Sequence, residues 1–251
     1  MPDTGASRPL TVVTGGTRGI GAATARRLAA DGHDLVLSFL SDAEAAEATR
    51  AACAGHGVDC AVVRGDLSRS EDVDALFAAL PRTPTGVVNN AGLTGPVGPL
   101  AEADPDVVRR VVDVNLTGAI LVARAAVRAL STSYGGDGGV LVNVSSGAAT
   151  IGSPGDYVHY AAAKAGVDTL TKGLAQEVGP QGVRVVGVAP GAIRTRIHAD
   201  AGDPDRLDRI GGAVALGRAG EPEEVAEAVA WLLSDAAAYV TGTTLRVAGG
   251  R

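Results

Sequence analysis

Short apolar runs alternate with stretches of helical period along nearly the whole chain. Leu10–Val13, Leu35–Leu37, Cys60–Val63, Gly86–Val88, Val140–Val144, Val183–Val188 and Thr244–Val247 are rich in β-branched and aliphatic side chains. Continuous rather than alternating apolar strands are buried on both faces, the condition of a parallel sheet under two layers of helix. The intervening segments predict helices at Ala22–Ala30 (closed by Gly32), Ala43–Ala54, Pro105–Leu130, from Tyr160 to about Val178, and Pro222–Leu233. Strand and helix in alternation, joined by right-handed crossovers, give an α/β fold: one domain over residues 1–251, a doubly wound parallel sheet of about seven strands with helices on both faces. Arg194–Gly217 breaks the alternation and is rich in Asp, Gly and Arg, so a substrate lid is expected at about 194–217, with His198 and Ala199–Arg209 governing substrate choice.

Composition narrows the function without naming it. An apolar share of 46% with only 3% aromatics suits one aliphatic core. The net charge of −6, with arginines scattered among acids, leaves no basic footprint for nucleic acid. No apolar run reaches the roughly 18 residues of a membrane span, and Met1–Pro9 lacks the apolar core of a signal peptide, so a cytoplasmic protein is expected. Cys53 and Cys60 read as free thiols. His33, His56, His159 and His198 share no ligand spacing, so no metal is expected. A small-molecule or protein partner remains.

Two constellations carry chemistry. Thr14-Gly15-Gly16-Thr17-Arg18-Gly19-Ile20-Gly21 follows the first strand and opens the first helix. Glycines there let a pyrophosphate approach the backbone, and the helix start offers unpaired N–H groups to its charge, as in a Rossmann-type dinucleotide fold. The second strand ends Leu37-Ser38-Phe39-Leu40-Ser41, without the acid that holds an NAD ribose, while Arg18 could pair with a 2′-phosphate. NADP(H) is therefore favoured over NAD(H). The other constellation is Tyr160 and Lys164, four residues apart and so on one helix face. The chain has two lysines against twenty arginines, and one of the two stands here. An ammonium beside a phenol is expected to lower its pKa from about 10. Ser145-Ser146 ends the fifth strand, and Tyr160 follows Ser146 by fourteen residues.

In order and spacing these residues resemble the short-chain dehydrogenase/reductase family, from Thr14 to the C-terminus, most closely its bacterial sugar, steroid and 3-oxoacyl reductase-like members. The likeness includes Asp66-Leu67, Asn89-Asn90-Ala91-Gly92, Asn115, Ser146, Tyr160, Lys164 and Pro190-Gly191-Ala192-Ile193-Arg194-Thr195. It implies a hydride-transferring oxidoreductase acting on a small carbonyl or alcohol. Tyr160 would be general acid or base, and Ser146 would bond the substrate oxygen. Lys164 would acidify the phenol and hold the nicotinamide ribose, and Asn115 would anchor a water linking Lys164 to solvent. Gly15, Thr17, Arg18, Gly19, Ile20, Gly21, Asp66, Leu67, Asn90, Ala91, Gly92, Pro190, Gly191, Ile193 and Thr195 would line the cofactor. The likeness also implies a homo-oligomer, a tetramer paired through the helices Val107–Leu130 and Ala161–Val178. Departures are the Ser-to-Tyr interval, one residue longer than in many relatives, and Val247-Ala248-Gly249-Gly250, which lacks an aspartate. The longer interval leaves both Ser145 and Ser146 as candidates, with alignment from the strand favouring Ser146. Tyr157, with Ala161 four residues on, is set aside as a decoy. The loop Tyr134–Gly139 is assigned to the site entrance, where its lack of basic residues weakens a role on acyl-carrier substrates. The alternatives are a non-catalytic NADP(H) redox sensor that regulates a partner, and a dehydratase or epimerase using the cofactor transiently.

Overall fold

A computed structural model describes residues 8–212 and 214–251, apart from the side chains of His198 and Asp208. The polar N-terminal segment as far as Ser7, Ala213 of the expected lid, and the His198 side chain lie outside the described residues.

Seven parallel strands run β1 (Leu10–Val13), β2 (Asp34–Phe39), β3 (Cys60–Arg64), β4 (Gly86–Asn89), β5 (Gly139–Val144), β6 (Val183–Pro190) and β7 (Thr244–Val247). Their order across the sheet is β3-β2-β1-β4-β5-β6-β7. The order reverses between β1 and β4, which opens a crevice at the carboxyl ends of the strands. The helices are α1 (Gly19–Ala30), α2 (Ala43–Ala54), α3 (Ser70–Ala78), α4 (Pro105–Val112), α5 (Gly118–Leu130), α6 (Ala148–Ile151), α7 (Val158–Val178), α8 (Ile197–Asp200), α9 (Arg206–Gly211) and α10 (Pro222–Leu233). Among the described residues no helix is long and apolar enough to cross a membrane.

Period-two alternation along each strand feeds two core layers. Val13, Leu37, Val142 and Val188 pack on one face against Leu28 of α1 and Val225 and Val229 of α10. Their neighbours Val12, Val36, Leu141 and Val185 face the other way, against Leu76 of α3, Val122 and Ala126 of α5 and Val178 of α7. The strands are apolar on both faces because both faces are covered. A buried polar chain ties the second layer to the sheet. Asn89 donates to Ala119 O at 2.9 Å and to Asn143 Oδ1 at 3.0 Å, and Asn143 donates to Thr171 Oγ1 at 3.0 Å.

Several elements depart from the sequence reading, the short helices α6, α8 and α9 among them. The single helix expected at Pro105–Leu130 is α4 and α5 joined by a π-helical turn at Asp113–Thr117. One extra residue in that turn rotates the register, and apolar periodicity averages over so small an insertion. Helix α3 was not expected, since it buries only Val73 and Leu76 and carries little stripe to read.

Candidate active site

The glycine loop is held from beneath by threonine and asparagine. Thr14 Oγ1 accepts the N–H groups of Asn90 and Ala91 at 2.8 and 3.0 Å, and Asn90 Nδ2 donates back to Thr14 O and Gly15 O at 2.9 and 3.1 Å. Gly15 N donates to Ser38 Oγ, and Thr17 O receives the Thr49 hydroxyl. A Cβ on Gly21 would stand 2.1 Å from Gly15 O, so only glycine lets α1 begin against the loop. That helix start has no side-chain cap and no acid in its first turn. Its unpaired N–H groups and dipole fit a pyrophosphate.

At the crevice the carboxyl ends of β4, β5 and β6 meet α7 around an open cleft. Ile20, Asn90, Gly92, Ser146, Tyr160, Lys164, Pro190, Gly191, Ile193 and Thr195 all line it. Ten residues from five parts of the sequence thus reach one space. Gly15, Thr17, Gly19, Gly21 and Ala91 build the loop behind it instead. Gly19 opens α1 beside Thr195.

Tyr160 and Lys164 stand one turn apart on α7, both buried. The Lys164 ammonium lies 5.9 Å from the Tyr160 ring centroid and donates to Val144 O at 2.8 Å. Ser146 and Tyr160 line the cleft together, and Ser146 Oγ accepts Ala148 N–H at 3.1 Å. Ser145 spends its hydroxyl elsewhere, on Lys164 O at 3.1 Å. Burial dominates both titrations. It pushes Tyr160 up to about 12, against the lowering effect of Ser146, and Lys164 down to about 8. The acidified phenol expected from the spacing is therefore not what these side chains alone produce, because burial disfavours the phenolate.

Asn115 is fully buried in the π-helical turn. It donates to Leu93 O at 2.6 Å and Val111 O at 2.8 Å and accepts Leu93 N–H at 3.3 Å. A Cβ on Gly92 would fall 2.7 Å from Asn115 Oδ1 and 3.4 Å from Lys164 Nζ, so Gly92 is the thin wall between that amide and the cleft. At the far end, Asp66 accepts Ser68 N–H and O–H at 3.1 and 2.8 Å and pairs with Arg110 at 2.8 Å. Burial pushes its carboxyl upward, but Ser68 and Arg110 together hold it below the ordinary value. Leu67 beside it is buried. Arg18 is half exposed, and its guanidinium lies 3.9 Å from Asp42, which caps α2 by accepting Ala45 N–H.

The sequence reading missed three residues that line the cleft with Tyr160: Val144, Thr94 and Tyr157; Ile197 reaches it from the expected lid. Tyr157 is no bystander, for its ring meets that of Tyr160 edge to face at 5.4 Å. The four-residue rule that set it aside tests for a lysine partner and says nothing about packing. The loop Tyr134–Gly139 also needs correcting. Gly138 and Gly139 approach Gly182 and Thr85, which precede β6 and β4, so this loop lies at the opposite edge of the sheet from the cleft. Its charge has no bearing on what enters the site.

Among the described residues no group of three or more His, Cys, Asp or Glu could hold a metal ion. His33 instead shares a hydrogen bond with Thr11 Oγ1.

Comparison with known proteins agrees with this geometry. Residues 15–251 match a family model described as Enoyl-(Acyl carrier protein) reductase. The chain is 42% identical over 245 residues to the uncharacterized oxidoreductase YgfF of Escherichia coli K12, covering 96% of this chain and 99% of that one. It is 43% identical over 244 residues to 3beta-hydroxysteroid dehydrogenase 1 of Eggerthella lenta, with 95% and 92% covered. A crystal structure of a short chain dehydrogenase from Burkholderia cenocepacia J2315 in complex with NADP superposes with a TM-score of 0.87 at 32% identity, over 96% and 97% of the two chains. A reversal-point crevice, a glycine loop at the start of α1 and a serine, tyrosine and lysine at one cleft occur here in a chain matched nearly end to end, which therefore belongs to the short-chain dehydrogenase/reductase family of oxidoreductases.

Proposed function

We propose that the protein transfers a hydride between NADP(H) and a small carbonyl or alcohol, with Tyr160 exchanging the proton. The observation that carries this is the convergence of Ser146, Tyr160 and Lys164 on a cleft also lined by Ile20, Ile193 and Thr195. When bound, the nicotinamide supplies or accepts the hydride, and its oxidised ring is cationic. The rest belongs to this chain. Ser146 and the Tyr160 hydroxyl, which line the same cleft, form a pair of donors for a substrate oxygen that becomes alkoxide-like as hydride arrives. Tyr160 then gives up its proton. A phenol near 12 is protonated throughout the neutral range, which suits reduction. Oxidation needs the phenolate, and bringing the group to pH 7 requires ~7 kcal/mol from nearby positive charge. Lys164 supplies part of it from one turn away, and Val144 O fixes its direction. Asn115, behind Gly92, is a positioning residue for the backbone at Leu93 and for the Lys164 side. Asp66 and Leu67 would flank the adenine, and Asn90, Ala91 and Gly92 the adenosine side.

The NADP(H) preference rests on Arg18. It extends beyond the glycine loop to the segment after β2, whose one carboxylate, Asp42, is engaged as a helix cap. A guanidinium there pairs with a 2′-phosphate but gains nothing from a 2′-hydroxyl. Arg18→Ala should weaken NADPH binding by about tenfold or more while changing NADH little, read by titrating protein fluorescence or by calorimetry. Equal losses for both would remove the phosphate role. The 3beta-hydroxysteroid dehydrogenase relative points to alcohols and ketones on a ring as the first compounds to try. Oxidation of reduced nicotinamide by a panel of ketones tests the whole reading. Tight cofactor binding with no turnover of any member would favour a redox sensor instead.

Assembly as a homotetramer is part of the same proposal. Ile120 of α5, Trp231 of α10 and Leu245 of β7 are exposed at 44%, 43% and 38%, apolar surface of the kind a partner copy covers. Sedimentation equilibrium showing a monomer would overturn this. The segment 194–217 is taken as the lid: it is based on the Ile193–Gly220 bridge and reaches the cleft at Thr195 and Ile197.

A further inference from the structure

Beside the reacting cleft lies a second chamber, which shares Ser146, Tyr157, Pro190 and Gly191 with it. Three arginines line this chamber, Arg206, Arg246 and Arg251, and no Asp or Glu side chain does. Arg246 is already engaged, with Thr150 Oγ1 and Arg251 O. Arg206 is different. It opens α9 and is only 5% exposed. Its Nη2 donates to Asp156 at 2.6 Å, its Nη1 stands 3.9 Å from Asp203, and the guanidinium lies 4.9 Å over the Tyr157 ring. Its Nε–H is buried without a partner.

A buried donor on a charged group, left unbonded, is costly, and folds keep such groups where something else completes them. A planar guanidinium pairs well with a carboxylate, and it is held here by two acids and an aromatic face. We propose that the second chamber receives the carboxylate of the substrate, held by the arginines that line it, Arg206 first among them, so that the substrate class is the hydroxy acids and their oxo acids. The inference rests on the oxidoreductase reading. The alcohol or carbonyl carbon occupies the cleft at Ser146 and Tyr160, and the carboxylate lies past Tyr157. In oxidation the carbinol carbon loses hydride to the nicotinamide and its O–H proton to Tyr160. The carboxylate passes through unchanged and serves only to hold and orient. Asp156 competes with it for the same guanidinium.

The experiment compares linear and cyclic hydroxy acids with their methyl esters, using the full chain and NADP. The best acid should exceed its ester in kcat/KM by about tenfold or more. Arg206→Gln should collapse that ratio, chiefly through KM for the acid, and Arg206→Lys should restore part of it. Asp156→Asn should raise the ratio by removing the competing charge. Esters matching acids in the native protein would overturn the proposal. So would Arg206→Gln and Asp156→Asn lowering acid and ester alike, which is what a mere clamp between the lid and the loop before α7 would do. Silence toward every acid and ester would overturn the oxidoreductase reading and this one together, whereas turnover of esters alone would sink only the carboxylate site.

Discussion

Tyr160→Phe should lower kcat by about 10³-fold or more, on the order of 4 kcal/mol in the barrier, while NADPH still binds. The change removes one oxygen from a ring that is buried and packed against Tyr157, so the fold has little reason to respond. It takes away both the proton and one of the two donors to the substrate oxygen, and Ser146 keeps its own bond to Ala148 N–H and remains in place. Loss confined to kcat, with unchanged cofactor affinity and thermal stability, is the expected pattern. A variant that keeps kcat within about tenfold of the native value would remove Tyr160 from the proton step.

Strands were legible because both core layers demand apolar residues at successive positions. Val12 and Val13 or Leu141 and Val142 cannot be anything else when each faces its own layer. Helices α2 and α10 and strand β7 coincide with the bounds read from sequence, since Asp42, Glu221 and Pro222 mark starts unambiguously. The π-helical turn was not legible, for its single added residue hides within the tolerance of a 3.6-residue period. Residue types at the site were legible from spacing. Their electrostatics were not, because the shift of Tyr160 is set first by depth of burial, which spacing does not reveal. Arg206 lay hidden for a related reason. One arginine among twenty carries no signal until Asp156, fifty residues earlier, and Tyr157 are seen around it.

Lys164→Met should inactivate the protein yet stabilise it. An ammonium buried down to a pKa of about 8, from an ordinary 10.5, is a charge that the folded state holds under protest. Above about 10.5 lysine is neutral in both states and the burial carries no electrostatic penalty. As pH falls through the window from 10.5 to 8 the unfolded chain takes up the proton first, and folding stability is lost. Below 8 both states are protonated and the penalty is complete, at about 3 kcal/mol. Methionine of similar length avoids that penalty but forfeits the bond to Val144 O, worth roughly 1–2 kcal/mol. The variant should therefore melt a few degrees higher than the native protein near pH 7, about 2–4 °C per kcal/mol gained. The advantage should shrink as pH rises and reverse by about pH 10.5, where only the lost bond counts. At the same time kcat should drop by about 10²–10³-fold, because the phenol loses its neighbouring charge and the nicotinamide ribose its partner. Equilibrium unfolding across that pH range, run beside activity, reads both effects. A variant less stable than the native protein at pH 7, by an amount that does not change with pH, would show that the ammonium is comfortable where it sits. Its retention would then need no catalytic reason.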